Sequence, residues 1–318
     1  MKVLSILGAA LASMVLACGL FAASDKVQPE RGAADPQTPP PKPTLPRGTP
    51  AEQVEALIKQ YEQAMTAFSK LAEAAKTEED EEKLDLLFPG PDHYATLLVQ
   101  IAEQNPKDVA ALDALLWVAR HTRNVPGKTD TPNAKARAAL IRDHLKSPKI
   151  GPFCLSLTYE EFDAGAVGLL RQVLEQHADK PVQAQAAYAL AKLLQRRAGA
   201  ATFLQKQTDE KQIAAFIKTY GPEAIADVKR SDSDGQKKEA ETLLERLTQD
   251  KDYAATVITY GDRSVTLGDL AGRDLFGLRH LVPGKPAPEI SGEDIEGEPM
   301  KLSDFRGQVV LLDFWGHW

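Results

Sequence analysis

Thiols, imidazoles and carboxylates are the side chains in this sequence with the most chemistry to offer, and few are placed to use it. The 318 residues hold two cysteines, Cys18 and Cys154. Two cysteines exclude a disulfide framework and a Cys-rich zinc module. Cys154 lies in Gly151-Pro152-Phe153-Cys154-Leu155, an apolar setting that raises a thiol pKa and makes it inert. It reads as a small buried hydrophobe. The six histidines stand at 93, 121, 144, 177, 280 and 317, and none has another within five residues. Zinc sites usually need a close ligand pair, so no metal centre is expected. Gly284-Lys285 has the ending of a phosphate-binding loop, but Pro286 replaces its Ser or Thr and Arg279 its first Gly. No Gly-x-Ser-x-Gly occurs to present a serine nucleophile. Nucleotide and hydrolase chemistry fall away, and no cofactor is expected.

The chemistry-bearing pattern is at the C-terminal end. Val309-Val310-Leu311-Leu312-Asp313-Phe314-Trp315 is apolar apart from one carboxylate, as a central strand covered on both faces would be. Gly316-His317-Trp318 follows. Ahead of the strand, Ser291-Gly292 and Glu296-Gly297 mark a hairpin over 290–302, and Leu302-Ser303-Asp304-Phe305-Arg306-Gly307 reads as a turn delivering the chain to Val309. Val282 to Pro288, with three prolines, reads as a linker.

Taken together, Gly-x-x-Ala-Pro, the hairpin, Leu-Ser-Asp-Phe-Arg-Gly and Val-Val-Leu-Leu-Asp-Phe-Trp-Gly-His-Trp resemble the opening of a thioredoxin-fold domain. The resemblance is to the exported redoxin and TlpA-like branch, related to the alkyl hydroperoxide reductase/thiol-specific antioxidant family. It covers residues 283–318, about a tenth of the chain. In that family Cys-x-x-Cys follows the position matching Trp318, so the domain is expected to be truncated here just before its nucleophiles, and the chain by itself to be inactive. The resemblance implies thiol–disulfide exchange, in which a thiolate stabilised at a helix N-terminus attacks a disulfide and a second cysteine resolves the intermediate. It makes Asp313 the buried proton acceptor for the resolving cysteine, with burial raising its pKa. Phe314, Trp315 and Trp318 become the packing around the active-site loop. Implied partners are protein disulfides or a reducing protein of the cell envelope. A thiol peroxidase shares the same fold and stays open.

The elements that must position this stretch are helical. Thr49-Pro50-Ala51-Glu52 is a capping box with Pro at the first helical position. Val54, Leu57, Ile58, Tyr61, Met65, Phe68 and Leu71 then mark one helix face. The acidic run 78–82 reads as a solvated face or loop. Leu97-Leu98-Val99-Gln100-Ile101-Ala102-Glu103-Gln104 is echoed by Leu169-Leu170-Arg171-Gln172-Val173-Leu174-Glu175-Gln176. Each is followed by a Pro and an Ala-rich helix, with Ala111, Ala114, Leu115 and Val118 matched by Ala186, Ala189, Leu190 and Leu193. The offset is 72 residues, growing to 75. This is similar to the tetratricopeptide and HEAT class of helical repeats. Small residues allow close helix approach, and neither copy could bury its apolar face alone. A compact duplicated domain and a protein-binding solenoid are both compatible with the pattern. Thr158-Tyr159-Glu160-Glu161 and Ser233-Asp234-Gly235-Gln236 predict further helix starts, the last running to about Leu247. Ala254–Tyr260 predicts a strand, and Thr266 with Asp269 caps a short helix ending near Leu281.

Residues 1–17 have the form of a signal peptide, with Lys2 followed by an apolar run too short to span a bilayer. Val15-Leu16-Ala17-Cys18 resembles a lipobox, in which Cys18 would be acylated. Ordinary cleavage that discards Cys18 is the other reading. Seven prolines between 29 and 46 make 18–48 an extended tether. The expected place is therefore exported, periplasmic or cell-envelope, with a lipid anchor to the membrane where Cys18 is acylated and retained.

The expected order is signal 1–17, Pro-rich linker 18–48, helical-repeat domain 49–250, strand–helix connector 251–282 and the truncated redoxin start 283–318. The fold class is a mainly α helical-repeat domain followed by an incomplete α/β thioredoxin-like domain. Its alternative function is a helical-repeat, protein-binding lipoprotein. A net charge of −7 with no basic block excludes nucleic acid as a partner, and 43% hydrophobic residues exclude wholesale disorder.

Overall fold

The structure is a computed structural model that describes residues 42–125, 128–260 and 262–314. Cys18, the signal and most of the Pro-rich segment lie outside the described residues, as do Trp315 and Trp318. The chain divides into two compact units, one through His144 together with Ile258–Ser264, the other Leu145–Val257 and the chain from Val265 on.

Among the described residues the first unit contains five helices: α1 (Pro50–Ala74), α2 (Glu78–Leu87), α3 (Asp92–Gln104), α4 (Val109–His121) and α5 (Pro132–His144). Thr49 caps α1 as its sequence predicts, and the Glu52 carboxylate accepts the Thr49 N–H in return at 2.8 Å. Val54, Leu57, Tyr61 and Phe68 turn inward from the predicted face. The Tyr61 ring meets Tyr94 edge-on at 5.3 Å and Trp117 at 5.1 Å, so one aromatic fastens α1 to both α3 and α4. The acidic run forms the first turns of α2, started by a Thr77–Asp80 capping box. Carboxylates suit a helix N-terminus, where the unpaired amides carry partial positive charge.

The second unit contains α6 (Ile150–Ser156), α7 (Ala164–Gln176), α8 (Lys180–Lys206), α9 (Glu210–Tyr220), α10 (Pro222–Arg230), α11 (Ser233–Gln249), α12 (Lys251–Ala254) and α13 (Leu267–His280). Helix α8 is its axis. Ala184, Ala186, Ala187, Ala189, Leu190, Ala191, Leu193 and Leu194 are all buried, so neighbours cover it on every side. Small side chains let those neighbours approach closely, and dispersion at short range then adds up over many contacts. Arg197 on α8 is buried, donating to the Glu161 carbonyl at 2.9 Å and pairing with Asp227. A chain of polar contacts also ends on this helix. The Tyr253 hydroxyl donates to Gln183 Oε1 at 2.8 Å, Gln183 Nε2 donates to the His177 carbonyl, and the Asp179 N–H donates to His177 Nδ1 at 3.0 Å.

The two echoing segments each form a helix pair. Helices α3 and α7 are both 13 residues long and end at the matched Gln104 and Gln176. Leu98 and Leu170, Ile101 and Val173, Ala114 and Ala189, and Val118 and Leu193 are buried in their respective units. The second member differs, with 13 residues in α4 against 27 in α8.

Two expected helix starts fall elsewhere. Thr158 lies in a 3₁₀ turn, its hydroxyl donating to the Leu155 carbonyl, while the Glu161 carboxylate reaches Arg196 of α8. With both box partners engaged elsewhere, the helix begins at Ala164, capped by Asp163. Helix α11 is capped by Asp232 rather than Ser233, whose hydroxyl instead donates to the Ala198 carbonyl at 3.0 Å.

Strands β1 (Val257–Tyr260) and β2 (Arg263–Thr266) form one two-stranded sheet. Thr266 then caps α13, accepting the Asp269 N–H at 3.1 Å. Strands β3 (Ser291–Glu293) and β4 (Pro299–Lys301) form a second, antiparallel pair with Ser291 opposite Lys301 and Glu293 opposite Pro299. This is the predicted hairpin.

Candidate functional site

The hairpin's turn is built by its own side chains. Asp294 Oδ1 accepts from the Glu296 and Glu298 amides at 3.0 and 2.9 Å, and Gly297 takes the left-handed φ of 85° that the reversal needs. Beyond β4, the Asp304 carboxylate accepts the Lys301 N–H at 2.9 Å and Glu289 accepts the Ser303 N–H at 3.0 Å. The Ser303 hydroxyl and amide hold the Glu289 carboxyl below the usual value. These contacts stitch the Leu302–Phe305 3₁₀ turn to the hairpin, and Gly307, at φ 86°, turns the chain into Val309.

The stretch that follows lacks the strand that its apolar run suggests. Residues 309–314 adopt no regular secondary structure, and Val309, Leu311 and Phe314 are 104%, 93% and 82% exposed. A central strand is a product of its neighbours, because its amides and carbonyls need partners on two sides. Among the described residues no strand pairs with this one. Asp313 is accordingly exposed rather than buried. The structure therefore places Asp313 and Phe314 on the surface and does not gather them with any other site residue.

Cys154 is fully buried on α6, and burial pushes its thiol up to about 12. No helix among the described residues is long and apolar enough to cross a membrane. Nor, among them, do three His, Cys, Asp or Glu side chains converge as a metal site would require.

Sequence motifs gave no hint of one further cluster. In the first unit a cavity of about 180 Å³ is lined by Glu103, Lys135, Arg142, Asp143 and His144 over a floor that includes Val99 and Leu115. Arg142 grips the neighbouring Asp143 through two nitrogens, which holds that carboxyl below its usual value. Burial lowers the His144 imidazole. The charges at its mouth are of both signs, and no cofactor chemistry follows from them.

Comparison with known proteins adds one finding. A 35-residue stretch is 49% identical to thiol-disulfide oxidoreductase ResA of Bacillus thuringiensis subsp. konkukian and to ResA of Bacillus cereus. The match is 11% of this chain and 20% of each relative, so the chain spans about a fifth of the length of the curated relatives it matches. Kinship to thioredoxin-like proteins is thus supported over a short segment alone. No family profile matches the chain, and no solved structure matches it.

Proposed function

We propose that residues 283–318 begin a thioredoxin-like module for thiol–disulfide exchange, and that the helical units ahead of it serve as its scaffold in the cell envelope. The observation that carries this reading is the 49% identity over 35 residues to two proteins named as thiol-disulfide oxidoreductases. The hairpin and turn of the motif-bearing stretch 283–318 are formed and internally hydrogen-bonded.

In this reading the reactive thiols follow the position of Trp318. The first thiolate attacks a substrate disulfide, forming one S–S bond as the substrate's breaks and a substrate thiolate leaves. The second thiol, its proton taken by Asp313, displaces the remaining substrate sulfur. The module ends as a disulfide and the substrate as a dithiol. For that role 309–314 must become a paired inner strand, which buries Asp313 and shifts its proton affinity upward. Phe314, Trp315 and Trp318 then pack beside the thiols. Acylation of Cys18 and the Pro-rich segment 18–48 would hold the assembly at a membrane surface.

The test is the coding sequence past the Trp318 codon, with insulin reduction by the protein it encodes. A Cys-x-x-Cys directly after Trp318 and reduction that disappears on Cys→Ser substitution are expected. Absence of the motif, or activity indifferent to those cysteines, refutes the reading. Peroxide consumption in place of insulin reduction would make the module a thiol peroxidase.

A further inference from the structure

We draw no further inference here: the strongest candidate, the half-exposed aromatic face that Phe162, Phe203, Phe216 and Tyr220 form on the second unit around α9, carries nothing because nothing in the structure shows what covers it.

Discussion

A thiol serves as a nucleophile only as its thiolate, and Cys154 has neither the exposure nor the charge environment to form one. Iodoacetamide should leave the Cys154 peptide unmodified in the native protein near pH 8 and label it fully in denaturant. Site-resolved mass spectrometry reads this separately from Cys18, and native labelling would contradict the buried placement. His121 makes a second prediction. Its Nδ1 lies 2.8 Å from the Trp117 carbonyl, and its ring stacks on Trp117 at 4.2 Å. Burial pushes this imidazole below its ordinary value of 6.5, with Arg120 adding to the shift and the Trp117 hydrogen bond and Glu62 opposing it. Below that ordinary value the unfolded chain takes up a proton that the folded chain resists. Stability therefore falls as the solution is acidified from about pH 6.5 towards the folded value. His121→Gln should flatten the fall in melting temperature between about pH 7.5 and about pH 5.5. An unchanged slope would show that this group does not titrate differently on folding.

At the scale of elements, helix starts are the features most open to test. Asp232→Ala should cost about 1 kcal/mol of unfolding free energy by removing the oxygen that accepts the Gly235 N–H. Ser233→Ala should act differently, by releasing the Ala198 and Thr202 contacts that tie α11 to α8. A double-mutant cycle of Ser233→Ala with Thr202→Val should show coupling, and none is expected between Asp232 and Thr202. How much was legible in the sequence follows from the same physics. The helix caps at Thr49 and Thr266 were readable because both partners are local. Thr158 misled because Glu161 answers to Arg196, 35 residues away, and no local pattern records that. Helix α5 carries charge around much of its surface, so it does not announce itself by periodicity. The hairpin β3–β4 was legible from its turn residues. The conformation of 309–314 was not, since it depends on partners outside the segment. The candidate site was readable only as residue types, because proximity is set by those partners.

For the molecule as a whole, the contrast is between helical units with well-covered interiors and a C-terminal stretch with almost none. In 309–314 five of the six side chains are apolar, and their exposure leaves a backbone edge free to pair with another chain. Purified 1–318 should therefore show light scattering that rises with protein concentration. Leu311→Lys should suppress it by placing a charge on that edge. Equal scattering from the variant would move the cause elsewhere.

The contacts from Tyr253 through Gln183 to His177 connect the two ends of a long detour in the chain, since 70 residues separate the first pair. The turn entering α8 and the short helix α12 are thus tied by the same contacts. Fraying of one strips the other of a partner, so their amides should exchange together. Loosening of α12 would then be felt at the start of α8, with no helix needing to move as a rigid rod.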